Sequence, residues 1–410
     1  MDFFLARQPI LNRQQCIVAY ELLFRNAASG PANVMNDLAA TASVIAHASE
    51  IGMDKVIGCT RAFINVDATV LMSDIVKILP QQNIVLEILE NVEATPEVIA
   101  CVRALAGLGF VFALDDVIAD TADIQQFLPF VEIVKIDVKD MPLEQLASLA
   151  SRYKLANKKL LAEKVESRAL FQYCKDLGFD LFQGYYFARP VILAGKKLAP
   201  SQLAVMHLIE QVSADADDAF ILHSIKQHAS MSLNLLRLVN TPAVGASRRI
   251  DTLAQALLLL GRRQLQRWLR VSLYANAEQA GNLASPLLVL ATTRGKLLEL
   301  MTAKLHPGNP NLAEIGFTVG IMSLMDVLFS MPMVDVLQQI PVNPTISEAL
   351  LFRKGIYGDM LQLIEHIERI QESGELLTPI LRKLQLSPVD LYKLQLSAFA
   401  WSNNISDSVP

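Results

Sequence analysis

A chain of 410 residues is long enough for two or three domains. With 52% apolar and 19% charged residues it can fill large cores, and its net charge of −5 excludes a general electrostatic attraction to nucleic acid or anionic lipid. No uninterrupted apolar run reaches the roughly 18 residues of a membrane-spanning helix. The first residues, with Asp2, lack the basic region and apolar core of a signal peptide. Cys16, Cys59, Cys101 and Cys174 are scattered without metal-ligand spacing, so a reducing, cytoplasmic setting without structural disulfides is expected. The apolar surplus is then expected in large cores and in a domain or subunit interface, a homodimer among the alternatives.

Taken in chain order, the first part alternates short apolar runs with helical stretches. The runs are Ala62 to Val66, Ile84 to Ile88, Phe110 to Leu114, Glu132 to Ile136, Leu160 to Glu163 and Leu181 to Gln183. Between them lie patterns such as Pro96 to Leu108, closed by Gly109. This alternation predicts a parallel sheet with helical crossovers. Val191 to Pro200 reads as a linker. From Ser201 onward apolar residues recur at helical spacing, as at Leu235, Leu236, Leu238 and Val239 and again at Leu253, Ala256, Leu257 and Leu260. Residues 402–410 read as a polar, frayed tail.

The strand-like runs share a feature that composition does not explain. Each ends on, or just beyond, a polar group: Glu21, Asn65, Glu87, Asp115 with Asp116, Lys135 with Asp137, Glu163 and Gln183. After Asn65 the spacing is that of single strand-plus-helix units, about 20–30 residues, and the interval from Glu21 to Asn65 has room for two. In a (β/α)₈ barrel such strand ends converge on one face. Crowded carboxylates repel one another unless cations lie between them. Oxygen-only ligands select Mg²⁺ or Mn²⁺, and two such ions about 3.5–4 Å apart can activate water and clamp a phosphodiester. One acid after one strand is ordinarily a helix N-cap; six successive strands ending this way point to a pocket.

In this order the residues resemble the EAL family of cyclic-di-GMP phosphodiesterases. The resemblance rests on Gln8-Pro9-Ile10, Tyr20-Glu21-Leu22-Leu23-Phe24-Arg25, Asn65, Glu87-Ile88-Leu89-Glu90, Asp115-Asp116, Lys135-Ile136-Asp137, Glu163-Lys164-Val165-Glu166 and Gln183-Gly184-Tyr185-Tyr186-Phe187. It implies an EAL-type (β/α)₈ barrel over residues 1–195. It also implies metal ligands at Glu21, Asn65, Glu87 and Asp115, and a second metal and its shell at Asp116, Asp137 and Glu163. Lys135 would assist the attacking water, with Glu163 beside it. Gln183 would line the centre, and Gln8 and Arg25 would contact the dinucleotide. Two departures stand out. After Asp116 the family carries a Phe-Gly-x-Gly-Tyr-Ser-Ser loop, whereas this chain reads Val117-Ile118-Ala119-Asp120-Thr121-Ala122-Asp123. Both glycines, which supply positive φ, are gone. Lys164 stands where the family has glycine and adds bulk at the pocket mouth. The stretch between Glu21 and Asn65 is also short for the family.

Residues 196–400 resemble the HDOD module, an all-helical relative of HD phosphohydrolases, through Leu235 to Pro242, Arg249 to Ala256 and Leu259-Leu260-Gly261. At the HD position the chain reads Gly320 to Asp326 without a His-Asp pair, so no metal is expected there. The basic stretch Gly261 to Arg270 is expected to be an ordinary solvated helix face rather than a nucleic-acid site, in a chain that is acidic overall. The EAL-then-HDOD order is similar to the YuxH-like class of bacterial two-module signalling proteins. The expected fold is thus α/β plus all-α, with residues 401–410 as a tail. The expected function is regulatory: the barrel binds cyclic-di-GMP or a partner with weak or no hydrolysis, and the HDOD module carries the output through a protein partner. Two alternatives stand beside it. One is an active Mg²⁺- or Mn²⁺-dependent phosphodiesterase producing pGpG; the other is a scaffold that binds no nucleotide.

Overall fold

In a computed structural model the described residues are 3–26, 53–188, 200–240, 250–275, 286–339 and 342–408. Eight strands close a barrel in sequence order: β1 (Phe3–Asn12), β2 (Ile17–Asn26), β3 (Arg61–Val66), β4 (Ile84–Ile88), β5 (Val111–Leu114), β6 (Ile133–Asp137), β7 (Lys159–Glu163) and β8 (Leu181–Gln183). From β2 to β8 neighbours run parallel. β1 runs antiparallel to both β2 and β8.

This corrects one expectation. The interval between Glu21 and Asn65 contributes no second strand to the sheet, because β2 pairs directly with β3. The eighth strand is the N-terminal one, which turns back at Arg13–Gln15 and closes the barrel against β8. The apparent shortness of that interval concerns residues 27–52, and the linker reading residues 191–199; both stretches lie outside the described residues.

The strands position the site through the two-residue period of their side chains. One inward set, Ile10, Ala19, Phe63, Val85, Ala113, Ile133 and Leu161, packs as an apolar plug within the barrel. Two residues further along each parallel strand the inward side chain is polar: Glu21, Asn65, Glu87, Asp115, Lys135 and Glu163. The residues between, such as Ile64, Leu86, Val134 and Ala162, point outward into the larger core beneath the helices. The plug therefore floors the polar layer and shuts water out from below. Outside, helices begin on side-chain caps: Thr95 before Pro96–Gly107 accepts from Val98 N at 3.3 Å, and Ser167 before Arg168–Asp176 accepts from Leu170 N at 3.1 Å.

The chain divides into two compact units, residues 1–189 with 362–403, and residues 190–361 with 404–410. The last stretch is thus grouped with the barrel, unlike the expected partition at 195 and 400. The reason lies in the helix Pro388–Ser408. Its Leu396 and Phe399 belong to the barrel's outer core, and Gln395 Nε2 donates to Leu5 O at 2.8 Å. The guanidinium of Arg7 lies 4.4 Å from the Tyr20 ring centroid and 4.1 Å from that of Phe399, and donates to Asn403 Oδ1 at 3.0 Å and Ser402 Oγ at 3.1 Å. Ser402 is fully buried and the helix runs on to Ser408, so the expected frayed tail is ordered for most of its length.

The other unit is helical in all its described elements, from Pro200–Ser213 to Pro344–Phe352. Its centre is a pair of helices, Pro286–Leu305 and Pro310–Met322. A Cβ on Gly316 would come within 2.7 Å of Thr302 Oγ1, and one on Gly320 within 2.5 Å of Arg294 O, so only glycine permits this approach. The stretch Pro310–Phe329 is the one place among the described residues with the length and composition of a membrane span, and 67% of it is buried inside the unit, as a core helix would be. The Asn240 side chain clasps the start of the next helix, donating to Ile250 O and accepting from Ile250 N, both at 2.8 Å. At the HD position Asp326 is half-buried, and Arg294 donates to Ser323 Oγ at 3.0 Å.

Candidate functional site

The polar layer converges on one buried ammonium. Lys135 Nζ, fully buried, lies 2.6 Å from Glu87 Oε1, 2.7 Å from Asp115 Oδ1, 2.9 Å from Glu163 Oε1 and 3.5 Å from Glu21 Oε2. Each comes from the end of a different strand, so the barrel's closure, not local sequence, brings them together. Gln183 Nε2 donates to Glu21 Oε2 at 2.6 Å and to Gln8 Oε1 at 2.7 Å, and Asn65 Nδ2 donates to Glu21 Oε1 at 3.4 Å. Register sets the neighbours: Gln8 faces Glu21 and Asn65 faces Glu87 across adjacent strands.

Four carboxylates around one ammonium leave the cluster with three uncompensated negative charges if all are ionised. Burial pushes Glu163 up to about 8; Asp115 and Glu21 add to that while Lys135 opposes it. Burial likewise holds Glu87 well above the carboxylate range, again with Lys135 opposing and Glu21 and Asp115 reinforcing. For Lys135 burial alone would lower the value, but Asp115, Glu163, Glu21 and Glu87 together outweigh it and keep the amine charged. Asn65 Oδ1, Glu87 Oε2, Glu163 Oε2 and Gln183 Oε1 are buried without a hydrogen-bond partner. Such orphaned oxygens cost free energy unless a donor or cation meets them.

A second, outer cluster stands at the lip. Lys164 Nζ lies 2.6 Å from Asp137 Oδ2 and 3.3 Å from Asp116 Oδ1. Asp116 and Lys164 both adopt positive φ, 45° and 54°. Gly184, at φ 146°, passes so close to Val165 that a Cβ would fall 2.2 Å from its carbonyl oxygen; this contact lets Val165 N bond to Gln183 O at 2.9 Å and seats β7 beside β8. Inner and outer clusters open into one cavity of 480 Å³, whose wall includes Gln8, Glu21, Asp115, Asp116, Asp137, Glu163, Lys164 and Gln183.

Of the expected site residues, all but Arg25 are placed in these clusters with their side chains. Arg25 lies on β2 opposite Phe4, and only its backbone is among the described features. Sequence reasoning missed three contributors. Lys164 was read as bulk, not as the partner of Asp116 and Asp137. Arg369 and Gln371 also line the cavity, with the Arg369 guanidinium 5.4 Å from the Tyr185 ring centroid. Lys164 was legible in principle, as a lone cation among acids; Arg369, almost 200 residues from the last strand, carried no signal.

The EAL domain family matches residues 2–190, and the HDOD domain family matches residues 197–283. The protein YuxH of Bacillus subtilis is 28% identical over 420 residues, covering 100% of both chains. The cyclic di-GMP phosphodiesterase CdgJ of Vibrio cholerae is 31% identical over 377 residues, 90% of this chain and 86% of that one. The chain belongs to the EAL–HDOD family. Among solved structures, a standalone EAL protein from Vibrio cholerae in its c-di-GMP-bound form is 28% identical over 46% of this chain and 92% of that one, with a TM-score of 0.37.

In this EAL–HDOD chain the inner cluster has the chemistry of a hard-cation site: carboxylates of Glu21, Glu87 and Asp115 and the amide oxygen of Asn65, two of them with orphaned buried oxygens. Among the described residues no three acidic side chains close on one ion-sized point, because the Lys135 ammonium draws them to itself. The outer pair, Asp116 and Asp137, does not fit a further ion, since Lys164 already bridges it. The loop after Asp116 is pinned rather than glycine-hinged. Val117 is buried and donates to Lys135 O at 2.9 Å, Asp120 pairs with Arg152, and Gln145 Nε2 donates to Ile118 O at 2.8 Å.

Proposed function

We propose that the barrel of this EAL–HDOD signalling protein binds cyclic-di-GMP over a divalent cation and hydrolyses it slowly or not at all, the helical module passing the bound state to a protein partner. The observation that carries this reading is the buried ring of four carboxylates about Lys135, whose unbalanced charge and orphaned oxygens call for a cation. Mg²⁺ or Mn²⁺ held by Glu21, Asn65, Glu87 and Asp115 would supply positive charge for a phosphodiester and, in an active site, acidify water. The chain's own residues do the rest. Gln183 and Gln8 hold the orientation of Glu21. Lys135, kept charged by its neighbours, fixes Asp115 and Glu163 towards the cavity. The apolar plug excludes water from below. The named activity of the Vibrio cholerae relative makes cyclic-di-GMP the ligand of choice. Slow turnover is supported by the pinned loop after Asp116, which replaces a segment whose glycines permit movement.

Calorimetry of the full chain with cyclic-di-GMP, with and without Mn²⁺, followed by product analysis, tests the proposal. Binding strengthened by Mn²⁺ and turnover far below about 1 s⁻¹, the low end of ordinary enzymes, are expected. Turnover at or above that level, abolished by Glu21→Ala, would make the barrel an active phosphodiesterase producing pGpG. Absence of binding under both conditions would leave a scaffold.

A further inference from the structure

We propose that the Lys164 ammonium is a built-in cation that holds the outer acidic pair, so that the site takes one divalent ion and not two. The inference rests on the reading of the barrel as a cation-assisted nucleotide site and specifies its metal content. Asp116 and Asp137 arrive from β5 and β6 and would repel each other across the cavity lip. Lys164, from the end of β7, lies between them, 2.6 Å from Asp137 Oδ2 and 3.3 Å from Asp116 Oδ1.

Three observations support a placed group. Lys164 has φ 54°, a conformation that side-chain-bearing residues rarely adopt, so the chain accepts strain at this position. Asp116, its partner, is also left-handed at φ 45°, which turns its carboxylate away from the inner cluster and toward the lip. Among the acid and amide side chains of the two clusters, the orphaned buried oxygens belong to Asn65, Glu87, Glu163 and Gln183 on the inner side, whereas Asp116 and Asp137 are both engaged by Lys164. The demand for an added cation is therefore confined to the inner cluster.

A tethered ammonium differs from a divalent ion in ways that bear on function. It carries one charge instead of two, it donates hydrogen bonds, and it offers no empty orbital to polarise water. It still attracts a phosphodiester at the cavity mouth, where it is 42% exposed. Lys164 thereby favours holding the nucleotide over cutting it.

The test is Mn²⁺ binding to the full chain stripped of metal, read as stoichiometry by calorimetry and by elemental analysis after gel filtration, with electron paramagnetic resonance for ion–ion coupling. The wild type is expected to bind one Mn²⁺ per chain with an uncoupled signal. Lys164→Gly, which relieves the left-handed strain and frees both aspartates, is expected to bind two with a coupled signal; Lys164→Arg keeps the charge and should bind one. Two coupled ions in the wild type, with cyclic-di-GMP binding intact, would overturn the proposal and leave the nucleotide-binding reading standing. One ion in both the wild type and Lys164→Gly, lost together in Glu21→Ala, would also overturn it. Neither Mn²⁺ nor cyclic-di-GMP binding by the wild type would remove the underlying reading and this inference with it.

Discussion

At the barrel mouth, four carboxylates share the single ammonium of Lys135. In the helical unit, Glu299 and Glu314 meet a row of arginines. Arg267 forms a two-pronged pair with Glu299, at 2.6 and 3.0 Å, and stacks 3.6 Å from the Phe317 ring centroid. Arg263 and Arg270 approach Glu314 at 3.3 and 3.5 Å, and Arg262 pairs with Asp215 and Asp218. Burial would raise Glu299, but Arg267 and Lys296 outweigh it and hold the carboxyl below its ordinary range; Glu163 in the barrel is pushed the other way, to about 8. Both regions enclose acids at least in part, but only the barrel leaves them short of positive charge. Where arginines outnumber the acids, the charge serves the fold; where acids outnumber cations, the deficit marks a place for a ligand.

Three measurements would break or sharpen this contrast. The largest effect belongs to Lys135→Met. Removing the one ammonium from the carboxylate ring should cost about 3–5 kcal/mol in denaturant unfolding of the metal-free chain at pH 8, and Mn²⁺ should recover much of it. A loss indifferent to Mn²⁺ would place the ring with the helical cluster as ordinary structure. Next comes Glu299→Ala, which strands Arg267 partly buried. A loss of about 2 kcal/mol is expected, the same with and without Mn²⁺; dependence on the ion would erase the distinction. The smallest effect, taken per pH unit, is one of pH. The folded chain keeps a proton on Glu163 up to about 8, while an unfolded glutamate releases it near about 4.3. Between those values the folded state binds more protons, so metal-free stability should fall as pH rises, by at most about 1.4 kcal/mol per unit for each such proton. Saturating Mn²⁺, which favours the ionised carboxylates, should flatten the slope. A metal-free profile that rises through this window would contradict the assignment of the barrel as the unbalanced region.

The inner cluster was legible in the sequence because two rules act on the same residues. Strand alternation puts every second side chain inside, and barrel closure brings the parallel strand ends together, so Glu21, Asn65, Glu87, Asp115, Lys135 and Glu163 could be assembled from spacing alone. β1 was harder to recognise as a barrel strand, because its antiparallel course breaks the strand-helix rhythm that revealed the others. Lys164 and Arg369 escaped because their roles depend on backbone φ and on chain return, neither of which leaves a periodic trace. The basic stretch around Arg267 was expected to face solvent. Arg267 and Arg270 are instead largely enclosed, because Glu299 and Glu314 come from helices that only the tertiary fold brings near.

The helix Pro388–Ser408 has a further consequence for how this chain is made. The carbonyl of Leu5 waits for Gln395, 390 residues later in the chain, and Arg7 for Phe399, Ser402 and Asn403. At about 5–20 residues per second of synthesis, the first strand spends roughly 20–80 s without its final cover. During that time the newborn barrel shows the ribosome's surroundings a bare apolar flank. Residues 190–361 of the helical unit, inserted between the barrel's two portions, are made before that cover. Quality control by chaperones and proteases would therefore act at a late checkpoint, and a chain cut short before Gln395 would have every barrel strand in place and one face open.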